Sequence, residues 1–92
     1  MKTKLFEPGR LAATQNAFAA IERANQDVVD FFSRHVTGDW GEVSQEDRIE
    51  NEVSLLNGYR LLSAYRTRLG ERVWVLTEAD RSLTTILLPE EY

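Results

Sequence analysis

The stretch YRLLSAYRTRLGERVWVLTEADRSLTTILL, residues 59–88, contains three largely apolar runs separated by two short polar connections. Over residues 59–66 the side chains alternate between the two sides of an extended chain. The runs at 72–77 and 82–88 are rich in Val, Leu, Ile and Thr, which favour strands. This stretch therefore predicts three strands joined as an antiparallel meander.

The residues before the meander have helical spacing. Apolar side chains recur every three or four positions over residues 15–24 and again over 28–35. Thr14 and Asp27 directly precede these two segments and are the predicted N-caps. The pattern predicts two consecutive helices, with His35 in the last turn of the second.

A third helix is predicted between Ser44, as its N-cap, and Gly58, which follows Asn57 at the predicted C-cap. Its apolar residues lie at spacings of four and three, and we expect this stripe to face the core. The residues of the stripe are Ile49, Val53 and Leu56.

Helices followed by a meander predict an α+β protein in which two or three N-terminal helices pack on a three- to four-stranded antiparallel sheet. The 92 residues suit a single domain, residues 1–92. Residues 10–13 fit either an edge strand or an extended lead into the first helix.

Composition removes several classes of function. The chain has no cysteine and one histidine, which excludes a disulfide framework and a thiolate or multi-histidine metal site, so we expect no metal and no cofactor. No apolar run approaches the roughly 18–20 residues that span a bilayer. We expect a cytoplasmic protein without a membrane partner.

Charge is distributed unevenly along the chain. The formal net charge is −4, which argues against a nucleic-acid partner. Residues 39–52 contain six acidic side chains and one arginine, whereas residues 60–72 contain four arginines and one glutamate. The sequence therefore predicts one acidic and one basic surface.

Three polar segments contain the parts needed for metal-independent RNA cleavage, which are a base, cations near the phosphate and hydroxyl donors. The predicted catalytic residues are His35, Ser63 and Thr85. The predicted substrate-binding residues are Arg66, Arg81 and Tyr65.

The same residue types also have structural explanations. His35 can be a core histidine, whose pKa burial would lower and the helix C-terminus would raise. Asp39 can cap a turn and Trp40 can fill the core. Glu78 and Asp80 can form a turn closed by a salt bridge with Arg81.

The strings RHVTGDWG at 34–41, LLSAY at 61–65 and TEADRSLTTILLPEEY at 77–92 resemble a family of small uncharacterised bacterial proteins. This resemblance implies carriage on plasmids, phages and integrated elements, but no activity. The order of a helix ending in histidine followed by strands bearing Arg, Ser and Thr is similar in layout to barnase-, EndoU- and RelE-like nucleases.

Two functions follow from these patterns. The first is a metal-independent RNase-like or toxin-type domain that acts on RNA. The alternative is a non-enzymatic accessory or anti-defence protein whose acidic helix binds a basic host protein. A homodimer formed through an exposed edge strand is compatible with both.

Overall fold

Three α-helices begin where the capping residues predict, in a computed structural model that describes residues 2–92. The helices are α1 (Gln15–Arg23), α2 (Val28–Val36) and α3 (Gln45–Asn57). In each case the side-chain oxygen of the N-cap residue accepts a hydrogen bond from a backbone N–H of the first turn; these residues are Thr14, Asp27 and Ser44. No helix within residues 2–92 has both the length and the apolar character needed to cross a bilayer.

In the part of the chain that the structure describes, four strands form one sheet in the order β1-β4-β3-β2. They are β1 (Arg10–Ala13), β2 (Leu61–Arg66), β3 (Arg72–Thr77) and β4 (Leu83–Leu87), followed by a 3-10 turn at Pro89–Glu91. The predicted meander is confirmed, since β2 pairs antiparallel with β3 and β3 with β4.

The α+β class is confirmed, but the sheet is not purely antiparallel and its strands are not all C-terminal. Residues 10–13 form a strand that pairs parallel with β4, with Leu11 opposite Thr84. A parallel neighbour requires a long crossover connection, and here the three helices and two strands between β1 and β4 supply it.

Helices α1 and α2 cover one side of the sheet, which we call the inner face. Side chains of both helices and of β2, β3 and β4 form the core there: Ala17, Ile21, Phe31, Phe32, Tyr65, Val73, Val75 and Ile86. The opposite side, the outer face, carries half-buried apolar side chains: Leu62, Ala64, Trp74 and Leu76. The alternating pattern predicted for residues 59–66 is therefore confirmed within β2.

Helix α3 turns a different side to the sheet from the one predicted. Its apolar stripe was expected in the core, yet Ile49, Val53 and Leu56 are 54%, 44% and 87% exposed. The buried residues of α3 are Asn51 and Ser54. The prediction was wrong because apolar spacing shows that a helix has an apolar side, but not that its own chain covers that side.

Asn51 attaches α3 to the edge of the sheet. Its side-chain amide donates to the Leu62 carbonyl at 2.8 Å, and its side-chain oxygen accepts from the Leu62 N–H at 3.1 Å. A neighbouring strand would supply the same two hydrogen bonds. The Asn51 side chain therefore takes the place of a neighbouring strand for the Leu62 backbone at the edge of the sheet.

Replacing Asn51 by alanine removes both hydrogen bonds and leaves the Leu62 backbone groups without partners in a half-buried place. We expect the free energy of unfolding to fall by about 2 kcal/mol. Urea unfolding of Asn51→Ala measures this loss. The matched control is Asn57→Ala on the same helix, whose exposed side chain bonds only to Val53 O and whose effect should stay within about 0.5 kcal/mol. Equal effects of the two variants would contradict this role for Asn51.

Candidate functional site

His35 lies in the last turn of α2 with none of its surface exposed. Its Nδ1 atom is 2.6 Å from the Ser63 hydroxyl oxygen, and its Nε2 atom is 2.9 Å from the Thr77 hydroxyl oxygen. The rings of Phe6 and Trp40 pack edge-on against the imidazole, with centroid distances of 5.3 and 5.8 Å. Both ring nitrogens are thus occupied, and aromatic rings cover the imidazole.

The hydrogen bonds continue beyond His35 as one connected chain. The hydroxyl oxygens of Thr77 and Thr84 are 2.7 Å apart, and Thr84 donates to the Pro8 carbonyl at 2.7 Å. We call the residues Ser63, His35, Thr77, Thr84 and Pro8 the His35 relay. It joins β2, α2, β3, β4 and the N-terminal segment.

The Pro8 carbonyl determines which atom donates at each step from Thr84 to His35 Nε2. A hydroxyl has one hydrogen and a carbonyl can only accept, so Thr84 donates to Pro8 and must accept from Thr77. Thr77 has then used its hydrogen and accepts from His35 Nε2–H. In the neutral imidazole the proton is therefore on Nε2, and Nδ1 accepts from Ser63.

Burial, and to a smaller extent the positive charge of Arg81, lower the pKa of His35 to about 4. The sequence did not show which of the two opposing effects on this pKa is larger. In the structure, burial lowers the pKa by more than the helix C-terminus raises it. Within residues 2–92, every buried side-chain nitrogen and oxygen has a hydrogen-bond partner. The relay consequently has no polar atom left over for a ligand.

The other predicted catalytic residues are divided between the two sides of the sheet. Ser63 belongs to the relay, whereas Thr85 follows the inward-facing Thr84 in β4 and lies half-buried on the outer face. Arg66 forms an ion pair with Glu42 at 2.9 Å. The structure brings Ser63 to His35 but brings neither Thr85 nor Arg66 there.

Sequence reasoning missed Thr77, Thr84 and Pro8 as partners in this cluster. Thr77 and Thr84 lie directly opposite each other in the β3–β4 register, which places their hydroxyls together. The signal was their shared position on the inner face, but it could be used only with the register known.

Arg81, predicted to bind substrate, instead holds the end of α3. Its guanidinium donates to the carbonyls of Ser54 at 3.0 Å and Tyr59 at 2.6 Å, and it lies 5.7 Å from the centre of the Phe6 ring. Arg81 also has a left-handed backbone, with φ 62°. Because the C-terminal end of a helix has a partial negative charge, a cation there stabilises α3.

Tyr65 donates its hydroxyl to the Asp39 carbonyl, and burial raises the pKa of this tyrosine. The Asp39 carboxylate binds Arg34 at 2.7 Å, and this hydrogen bond holds the pKa of Asp39 below its usual value. Trp40 is 1% exposed, and its Nε1 donates to Glu52 at 3.1 Å. The turn between α2 and α3, which contains Asp39 and Trp40, therefore places Trp40 in the core beside the relay.

The turn after β3 differs from the closed salt bridge considered from the sequence. Within residues 2–92, Arg81 contacts the backbone carbonyl of Glu78 and forms no ion pair with either carboxylate of the turn. Asp80 instead accepts hydrogen bonds from the backbone and hydroxyl of Ser82, which lower the pKa of Asp80.

Around α3 the surface is open, in contrast to the relay. A cavity of about 530 Å³ lies between α3 and the outer face of the sheet. Its lining combines acidic and apolar side chains, which include Asp47, Ile49, Glu50, Val53, Leu62 and Leu76. Within residues 2–92, no three histidine or acidic side chains cluster closely enough to hold a metal ion.

No family model, curated protein or solved structure matches this chain. The resemblance to plasmid and phage proteins therefore stays a prediction. The functional conclusion rests on the placement of the residues described above.

The lowered pKa of His35 predicts acid destabilisation. The unfolded chain, with a histidine pKa near 6.5, binds the proton more readily than the folded protein, so falling pH favours unfolding. Between about pH 6.5 and 4 this group should cost about 3 kcal/mol of stability.

The measurement is urea unfolding across this pH range, comparing the wild type with His35→Gln so that the carboxylates cancel. Ring-nitrogen NMR of the wild type checks the same point without a variant and should show a proton on Nε2 at neutral pH. A His35 that titrates near 6.5 would contradict the buried relay.

Two adjacent threonines in β4 lie on opposite sides of the sheet: Thr84 belongs to the relay, and Thr85 lies on the outer face. Thr84→Val leaves the Thr77 hydrogen and the Pro8 carbonyl without partners, so stability should fall by about 2 kcal/mol. Thr85→Val, on the opposite face, should change stability by less than about 0.5 kcal/mol. Thermal or urea unfolding of both variants measures the two losses of stability. A larger loss for Thr85→Val than for Thr84→Val would contradict the assignment of Thr84 to the relay.

Proposed function

We propose that this protein is a non-enzymatic binding protein that engages a basic protein partner through α3 and the loop preceding it, whose acidic side chains lie within residues 39–52. The observation that carries this proposal is the outward orientation of α3. Its apolar stripe and its acidic side chains face solvent, while His35 and Ser63 are buried in the core and Thr85 lies on the other side of the sheet.

The charges of this surface support a basic partner. Asp39 and Glu42 are neutralised by ion pairs with Arg34 and Arg66. Within residues 2–92, Glu46, Asp47 and Glu50 on α3 form no ion pair. These carboxylates therefore keep a negative field that attracts and orients a positively charged surface.

RNA cleavage by His35 stays a prediction of the sequence, and it has less support. To act as a base, the imidazole would have to leave Ser63 and Thr77 and reach solvent from full burial. A histidine with a pKa near 4 is also a weak base at neutral pH. Carriage on a mobile element, which the resemblance implies, is compatible with a binding protein in an accessory or anti-defence role.

Two charge-reversal variants test the proposal. Glu46→Lys/Glu50→Lys changes α3, and Glu22→Lys/Glu90→Lys makes the same change of net charge at exposed positions elsewhere. In affinity capture from a bacterial extract, the wild type and the control variant should retain the same basic proteins. The α3 variant should lose them at least tenfold, and high salt should release them.

Equal capture by all three proteins would refute an α3 binding surface, and equal loss in both variants would reduce the effect to net charge. An RNA assay completes the test. Cleavage by the wild type that disappears in folded His35→Ala would overturn the proposal in favour of a nuclease.

A further inference from the structure

The exposed stripe of α3 has the spacing of a helix-pairing surface. Ile49, Val53 and Leu56 are separated by four and three residues, as the d, a and d positions of a heptad are. Asn51 and Ser54 occupy the side of the helix that faces β2. We call the three exposed apolar residues the apolar seam. Ile49 and Val53 also line the cavity beside α3, whereas Leu56 is 87% exposed.

The residues beside the seam determine which kind of helix could pair with it. With Ile49 and Leu56 at d and Val53 at a, Glu50 takes the e position and Glu52 the g position. Charges at e and g set partner choice in paired helices. Both flanks of this seam are acidic.

A second copy of the chain does not suit the seam. Parallel pairing would place Glu52 of one copy against Asn57 of the other, and Glu50 against Gln45. Antiparallel pairing would place each glutamate against its own equivalent. Neither arrangement gives the glutamates a positively charged neighbour, whereas lysine or arginine at the flanking positions of another helix would be attracted to both glutamates.

We propose that the segment recognised by α3 is an amphipathic α-helix with an apolar seam and Lys or Arg on both flanks, which packs along α3 as a short coiled coil. This inference rests on the proposed function and specifies the structure of its partner. Leu56, the most exposed seam residue, is the principal contact.

The contacts that hold α3 on the protein favour such pairing without rearrangement of the helix. Asn51 fixes the middle of the helix to β2, and Arg81 fixes its C-terminal end through the Ser54 and Tyr59 carbonyls. Neither contact involves the seam. A partner helix therefore meets a surface already in its bound conformation, which lowers the entropic cost of binding.

Three synthetic peptides of about three heptads each provide the probes. The first has Leu and Ile at the seam and Lys on the flanks, the second keeps this seam with Glu on the flanks, and the third keeps Lys with Gln at the seam. Calorimetric titration should show binding of the first peptide and at least tenfold weaker binding of the other two. Circular dichroism should show that the first peptide gains helix on binding.

Two leucine variants locate the contact on the protein. Leu56→Ser should weaken binding of the first peptide at least tenfold. Leu69→Ser removes an equally apolar, 63% exposed side chain at the β2–β3 hairpin and should leave affinity unchanged. Because both leucines are exposed, both variants should keep the fold of the wild type.

The outcomes separate this inference from the proposed function. Equal binding of the two lysine peptides would overturn the helical seam while leaving an acidic binding surface intact. Equal weakening by the two leucine variants would likewise overturn it. A wild type that sediments as a dimer and becomes monomeric in Leu56→Ser would show that a second copy covers the seam, and would overturn the basic helix. The proposed function itself fails only if the charge-reversal capture also shows no dependence on α3.

Discussion

The Pro8 carbonyl oxygen terminates a series of buried hydrogen bonds on which the inner face of the sheet depends. From that acceptor the donors follow in one direction through Thr84, Thr77 and His35 to Ser63. A buried polar network stabilises a fold only when all its members are satisfied. The register of β3 on β4, the depth of α2 and the path of the N-terminal segment must therefore agree with one another.

The same constraint explains why the residue types of a catalytic site form part of the core here. A histidine between two hydroxyls would serve acid–base chemistry if a substrate could reach it, but Phe6 and Trp40 cover its ring. The open surface lies instead beside α3. That helix is held by polar contacts from Asn51 and Arg81, so its apolar residues remain available for another molecule.

Much of the fold could be predicted because its signals are local. Thr14 is an N-cap through contacts within one turn, and Gly58 ends α3 with φ 75° for equally local reasons. The orientation of α3, the parallel pairing of β1 and the partners of His35 depend on contacts between distant parts of the chain. Asn51 and Thr84 illustrate this dependence on distant contacts. Nothing in the sequence distinguishes either of them from an ordinary surface residue, and only their hydrogen-bond partners show what they do.

For the candidate site, the sequence correctly grouped His35 with Ser63 but not with Thr77, and it identified the acidic helix without showing which side faces out. The central claim is that recognition occurs on α3 and not at His35. The most direct measurement is amide and ring NMR of the labelled protein during separate additions of single-stranded RNA and of the basic seam peptide. The account predicts peptide-dependent shifts centred on Val53 and no RNA-dependent shift at His35. Shifts at His35 on adding RNA, with α3 unaffected by the peptide, would contradict it.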